Sequence, residues 1–301
     1  MVDLPLGVDI NNLIDDLRIL SWKASDIMLF YSYLLKEDEK NESNIIKTKN
    51  NDDPVTLADL KVNEMILKGL TEKYKDKNWD ILSEENSNII SNNSEINSDW
   101  RWILDPLDGT SDFIQGTGNY AMHLALRYEN KFCIGIVLIP ERDELWISNG
   151  EQVWCERKDG SFLYPNLSKN KNLTDMTLVT SKNHKNRILE SLIQKINFNK
   201  VTIMGSIGCK IASIIKGESD IYISLSLPGK SSPKDWDFAA PEAILRTSGG
   251  TITNLDNENL TYNTPNFEQG GIIIASNNKQ NHGRLCSQIK EIIKRNNLYP
   301  L

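Results

Sequence analysis

The stretch Trp102-Ile103-Leu104-Asp105-Pro106-Leu107-Asp108-Gly109-Thr110-Ser111 constrains the fold more than any other part of the chain. Its apolar start has the character of the end of a buried strand. At the tip the chain delivers two carboxylates, Asp105 and Asp108, with Pro106 between them fixing φ and removing an N–H donor. Gly109 opens a backbone conformation closed to other residues, and Thr110 and Ser111 add hydroxyls and amides. Two carboxylates three residues apart, with the Leu107 carbonyl between them, form a compact all-oxygen donor set of the kind hard cations such as Mg²⁺ take. The amides beside it suit a phosphate. Asp-Pro and Asp-Gly are also ordinary turn dipeptides, and strand-end aspartates often satisfy local amides only. The stretch is not an EF-hand loop: its acids do not alternate, and the twelfth position from Asp105 is Gly116.

Around this stretch the chain falls into two patterns. In the first, apolar residues at helical spacing from Asp9 to about Glu37 predict one long amphipathic helix or two with a break. Residues 36–53 form a polar loop with room for a short strand. A second helix opens near Asp53-Pro54-Val55-Thr56-Leu57-Ala58-Asp59, where Thr56 and Asp59 have the spacing of a variant capping box. Trp79–Ser83 is a short strand running into Glu84 and Glu85, and 86–99 is a polar excursion. Tyr120–Tyr128, Phe132–Ile139 and Leu145–Ser148 predict successive antiparallel strands, with another strand near Gln152–Cys155. His123 lies in the first of these strands and is read as a sheet residue satisfied in place rather than a ligand.

A Pro- and Asn-containing connection around 164–172 divides the chain into an N-terminal α+β lobe, 1–168, and a C-terminal α/β lobe, 169–301. Beyond it, strands and helices alternate: strands near 176–180, 201–204, 221–224, 251–253 and 272–275, and helices near 185–196, 207–216, up to 246 or 247, and 288–295. Such alternation implies a mixed or parallel sheet. Pro241 requires its helix to begin only a few residues earlier, which places Asp237 at the helix N-terminus, where a carboxylate can also act as an N-cap.

The net charge of −7 excludes a general nucleic-acid or anionic-membrane binder. Four cysteines far apart, with no CxxC pair, exclude a zinc ribbon and fit a reducing compartment. With no leader-like start and no apolar run of membrane-spanning length, a cytoplasmic location is expected. Acidic groups recur at helix starts and strand ends: Asp59, Glu84 with Glu85, Asp105 with Asp108, and Asp237. Brought into one pocket they would repel and raise one another's pKa, a conflict that divalent cations resolve.

Taken in order, Asp53-Pro54-Val55-Thr56-Leu57-Ala58-Asp59, Leu82-Ser83-Glu84-Glu85, Trp102 to Thr110, and Trp236-Asp237-Phe238-Ala239-Ala240-Pro241-Glu242 with Gly249-Gly250 resemble the signature blocks of the lithium-sensitive, Mg²⁺-dependent phosphatase superfamily. That superfamily includes inositol monophosphatases, fructose-1,6-bisphosphatases and 3'(2'),5'-bisphosphate nucleotidases. The resemblance implies an α/β fold, the layered αβαβα sandwich, and two or three Mg²⁺ per site. It matches Glu84, Asp105 and the Leu107 carbonyl to one metal, and Asp105, Asp108 and Asp237 to a second. Asp59 and Thr110, with Glu84, fall at the catalytic positions that orient and deprotonate water. Gly109, Thr110 and Ser111 would hold the scissile phosphate, and two cations about 3.5–4 Å apart would clamp the entering and leaving oxygens.

Three segments point to the substrate. Thr180-Ser181-Lys182-Asn183-His184 resembles the substrate-contacting segment of bisphosphate nucleotidases, which gives His184 a binding role. Gly205-Ser206-Ile207-Gly208-Cys209-Lys210 resembles their loop for the phosphate that is not cleaved, assigning Gly205, Ser206 and Lys210 to binding, with Asp237 beside them. Lysines at Lys230 and Lys234 precede the Trp236-Asp237 motif, where inositol monophosphatases place an acid. The chain is thus closest to nucleotidases of the CysQ type, which convert 3'-phosphoadenosine 5'-phosphate to AMP and phosphate in sulfur metabolism. A homodimer is compatible with the resemblance. Asp112 departs from it, because an acid near a phosphate is unfavourable. An inositol monophosphatase or broad sugar-phosphate phosphatase is the same-class alternative, and a regulatory binding protein that keeps the fold is the alternative of another class.

Overall fold

The computed structural model describes residues 4–37, 42–48, 54–87, 98–168, 171–181 and 187–299. It divides into two compact units, one of residues 1–163, 206–208 and 236–244, the other of 164–205, 209–235 and 245–301. The segment around Asp237, expected with the second lobe, therefore belongs with the first unit.

In the first unit, helix α1 (Ile10–Glu37) opens on Asp9, whose carboxylate accepts the amides of Asn11 and Asn12, each at 3.0 Å. A short helix α2 (Glu42–Ile45) leads into β1 (Ile46–Thr48), which pairs antiparallel with β2 (Pro54–Thr56). Helix α3 (Leu57–Lys73) begins with Thr56 and Asp59 in the reciprocal capping box expected from their spacing. Then come β3 (Asp80–Ser83), β4 (Trp100–Asp108), the short helix α4 (Thr110–Ile114), β5 (Ala121–Tyr128), β6 (Lys131–Ile139), β7 (Glu144–Ser148), β8 (Val153–Glu156) and β9 (Phe162–Leu163). The strands form one seven-stranded sheet in chain order, parallel only between β3 and β4. Trp102 and Leu104 of β4, Met122 and Leu124 of β5, and Ile134 and Ile136 of β6 share one face of the pleat, and all are buried in a core with Leu13, Leu17, Val62 and Ile66 of α1 and α3.

The second unit carries β10 (Thr177–Thr180), α5 (Arg187–Ile196), β11 (Lys200–Ile203), α6 (Ile207–Ile215), β12 (Ile221–Leu225), α7 (Asp235–Thr247), β13 (Thr251–Asn254), β14 (Ile272–Ser276) and α8 (Lys279–Asn296), with α6 and α7 each lending part of their length to the first unit. Its sheet runs β11-β10-β12-β14-β13. The β10 pairings are parallel and those of β14 antiparallel, so the sheet is mixed. Leu178, Ile221, Ile223 and Ile274 pack with Leu189, Leu192, Leu285 and Ile289 of the helices.

The elements depart from the sequence expectation at several places. Helix α8 starts nine residues before Gln288, because the Asn278 side chain caps the Asn281 amide at 3.0 Å ahead of any apolar periodicity. Strand β4 continues past Leu104 to Asp108, and the two-residue β9 was not foreseen. On the second face of the large sheet, Gly135 admits α7: a Cβ there would lie 2.5 Å from Ala243 Cβ and 3.3 Å from the Ala240 carbonyl.

Candidate active site

In an unbroken strand, residues three apart point to opposite faces. Asp105 and Asp108 escape this rule because the register shifts between them. Asp105 pairs with His123 and Asp108 with Ala121, so three steps along β4 match two along β5. The extra residue is a bulge, and Pro106, with no amide to give to a ladder, lies inside it. The bulge returns Asp108 to the face of Asp105. Helix α7 brings Asp237 to the same place, and one carboxylate oxygen each from Asp105, Asp108 and Asp237 lies within 4.8 Å of the others. Asp237 is the third residue of α7, which opens at Asp235, so it lies inside the first turn and is not the N-cap.

Asp105 is buried, accepts the Leu107 amide at 3.0 Å, and otherwise faces negative charge. Burial first, then the charges of Glu84, Asp108, Asp237 and Asp59, hold its carboxyl well above the usual carboxylate range. Burial likewise pushes Asp59 up to about 7, against the opposing pull of the Thr56 hydroxyl and with the help of Glu84. Asp59 Oδ2 takes the Thr56 amide at 2.8 Å and the Thr56 hydroxyl at 2.5 Å, so the capping box also fixes this carboxylate. Its Oδ1 lies 3.5 Å from the Thr110 hydroxyl, which is 3.2 Å from the Leu107 carbonyl. Glu84 stands half-buried in the single 3-10 turn that follows β3 and acts on both Asp59 and Asp105 through its charge.

Buried carboxylates that converge with like charges around them, offering oxygen alone, suit a hard divalent cation. Asp105, Asp108 and Asp237 can hold such an ion.

Gly109 begins α4 at φ 87°, and a Cβ there would lie 3.0 Å from the Asn119 carbonyl and 3.1 Å from the Ser206 amide. Only glycine meets both demands. Thr110 and Ser111 form the first turn of α4, both half-buried. The doubt over Asp112 is resolved locally, since its carboxylate is buried and accepts the Thr117 hydroxyl at 2.5 Å.

The 205–210 segment makes contacts within the protein. Asp108 Oδ2 accepts the Ser206 hydroxyl at 2.7 Å, the Ile207 amide at 2.5 Å and the Gly208 amide at 3.4 Å. The N-terminus of α6 thus engages an anion supplied by the protein itself. Lys210 is wholly buried, and its ammonium donates to the Gly205 carbonyl at 2.6 Å and lies 5.4 Å from the Tyr222 ring centre. It is neither a solvated helix residue nor a cation presented to solvent, because its ammonium is turned back onto its own loop. His184 lies outside the described residues.

Sequence reasoning missed one neighbour of the site. His123, read as a sheet residue satisfied in place, is wholly buried with Nε2 3.3 Å from Asp108 Oδ2. Its position on β5 opposite β4 was the available signal, but using it required knowing the bulge.

A model of the inositol monophosphatase family matches residues 22–294. A 3'(2'),5'-bisphosphate nucleotidase CysQ of Buchnera aphidicola is 31% identical over 219 residues, covering 72% of this chain and 77% of that protein. The protein of the same name from Aggregatibacter actinomycetemcomitans is 29% identical over 233 residues, covering 75% and 83%. Among solved structures, the inositol monophosphatase from Anabaena (Nostoc) sp. PCC 7120 superposes with a TM-score of 0.70 at 19% identity, covering 94% of this chain and 97% of that one. At that identity the likeness shows the fold.

Proposed function

The chain is a phosphatase that belongs to the inositol monophosphatase family, and on that premise we propose that it is a Mg²⁺-dependent 3'(2'),5'-bisphosphate nucleotidase acting on 3'-phosphoadenosine 5'-phosphate. The meeting of Asp105, Asp108 and Asp237 carries the metal-dependent reading. The nucleotidase assignment draws on sequence relatives of that name, the first at 31% identity over most of both chains.

Asp105, Asp108 and Asp237, with Glu84 and the Leu107 carbonyl, would hold two or three Mg²⁺. Bound there, the cations supply an acidified water and neutralise charge on the phosphoryl oxygens. Asp59 accepts the proton of the attacking water. A buried carboxyl raised to about 7 is well matched to that work near neutral pH. Thr56 keeps Asp59 oriented through two hydrogen bonds, and Thr110, whose hydroxyl lies between Asp59 and the Leu107 carbonyl, orients the water. Gly109, Thr110 and Ser111 receive the phosphate through the first turn of α4. Ser206 holds Asp108 at the start of α6, and Lys210 ties its own loop together through the Gly205 carbonyl. Four free, buried cysteines accord with a reducing cytoplasm. Among the described residues no helix is long and apolar enough to cross a membrane.

Phosphate release from 3'-phosphoadenosine 5'-phosphate, inositol 1-phosphate and fructose 1,6-bisphosphate, each with Mg²⁺ and with EDTA, tests the proposal. The expected outcome is Mg²⁺-dependent release that is fastest from the nucleotide. Faster turnover of the inositol ester overturns the nucleotidase assignment, and undiminished turnover in EDTA overturns the metal-dependent mechanism.

A further inference from the structure

The four groups around Asp108 Oδ2 belong to two different elements. From α6 and the residue before it come the Ser206 hydroxyl and the Ile207 and Gly208 amides. From the middle of β5 comes the His123 imidazole, 3.3 Å away. A carboxylate oxygen has two lone pairs, and the contacts from Ser206 at 2.7 Å and Ile207 at 2.5 Å occupy both. Oδ2 is therefore committed to the protein, and Oδ1 is the oxygen left for a cation.

What lets His123 reach this position is the absence of a side chain at 208. A Cβ on Gly208 would lie 2.3 Å from His123 Nε2 and 2.7 Å from Val137 Cγ1. Val137 is the cross-strand partner of His123 on β6 and is fully buried, so it has little room to yield. With any side chain at 208, either the imidazole leaves Asp108 or the start of α6 lifts off the sheet. Either movement changes what holds the carboxylate.

We propose that His123 and Gly208 form a positioning pair for Asp108, fixing it as a one-oxygen ligand whose Oδ1 is presented toward Asp105 and Asp237. The inference rests on the metal-centre reading given above. His123 touches neither substrate nor cation; it acts through Asp108, its buried ring packed with Nε2 3.3 Å from Oδ2 so that the carboxylate cannot swing toward β5.

Mg²⁺ binding measured by titration calorimetry on the full chain is the test, comparing the wild type with His123→Leu, His123→Asn and Gly208→Ala. Thermal melting of each in EDTA checks that it is folded. His123→Leu should raise the Mg²⁺ dissociation constant by about 10- to 100-fold, the range typical of losing such a partner. His123→Asn, which keeps a polar side chain beside Asp108, should recover part of that loss, and Gly208→Ala should weaken binding in the same direction. Should the leucine variant not fold, Gly208→Ala carries the test. Wild-type affinity in folded His123→Leu and Gly208→Ala overturns the pair while leaving the metal centre standing. A wild type that binds no Mg²⁺ overturns the metal centre, and the pair with it.

Discussion

Asp105 and Asp220 are equally buried, each 1% exposed, yet they do opposite work. Asp220, at the start of β12, accepts the Thr177 amide at 2.7 Å, the Lys171 ammonium at 2.9 Å, the Asn277 amide at 3.3 Å and the Ser168 hydroxyl. Donors from three neighbouring segments surround it, so its charge is answered within the protein and ties those segments together. Asp105 accepts one backbone amide and meets carboxylates on its other sides. Among the described residues, the Leu107 amide alone is set against the cost of its burial. A buried carboxylate with a full set of donors holds a fold together, and one that faces its own kind awaits a cation.

The sharpest way to break this contrast is to neutralise both residues. Asp105→Asn should lower kcat/KM about a thousandfold or more at saturating Mg²⁺, roughly 4 kcal/mol of transition-state stabilisation. The same substitution should make the metal-free protein more stable at pH 8, read by urea unfolding in EDTA. The sign follows from the raised carboxyl: the contribution of Asp105 to stability is present below the unfolded carboxylate range and is lost as pH rises, a loss that asparagine avoids. Asp220→Ala should do the reverse, destabilising the protein by about 3 kcal/mol in the same unfolding assay. Its Mg²⁺ affinity in the folded state should stay unchanged.

A milder contrast is set by pH. In the second unit, His282 lies between the Thr253 hydroxyl at 2.8 Å and the Ser276 hydroxyl at 2.7 Å, and burial pushes its pKa down to about 4. Unfolded, it titrates near 6.5, so the stability it protects is complete above that value and is lost as pH falls toward 4. Over that window the loss amounts to about 3 kcal/mol, less whatever other groups contribute. Replacing His282 with Gln should flatten this acid limb in unfolding curves, whereas Asp105→Asn should change the alkaline side. The smallest effect is expected at Thr56, where Thr56→Ala should cost about 1 kcal/mol of stability through the lost cap and Thr56→Ser should retain most of it.

Much of this was legible before any coordinates. Asp105, Asp108 and Asp59 announce themselves because strand ends, Asp-Pro and Asp-Gly turns and capping boxes have local signatures, and Thr56 with Asp59 forms the box their spacing implied. Hydrophobic periodicity also fixed most strands within a residue or two. What local pattern could not show is what depends on pairing. The bulge that turns Asp108 back toward Asp105 exists only in the register against β5. The same register sets His123 opposite Asp105 and near Asp108, a proximity that local pattern does not carry. The 205–210 segment is open for a related reason: helix-start amides suit an anion, and in the structure they engage the chain's own Asp108, which no local pattern announces. Lys210 shows the limit most plainly, since a lysine among small and apolar residues gives no sign that its ammonium folds back on Gly205.

The central claim is that the acidic pocket is built to be neutralised by a divalent cation, and thermal melting of the wild type at pH 8 in EDTA and then in millimolar Mg²⁺ tests it most directly. A cation that binds only the folded pocket stabilises it by about 2.7 kcal/mol at a hundredfold excess over its dissociation constant. Mg²⁺ should raise the melting temperature of the wild type clearly and leave that of Asp105→Asn unchanged. Equal melting temperatures for the wild type in the two buffers would contradict it.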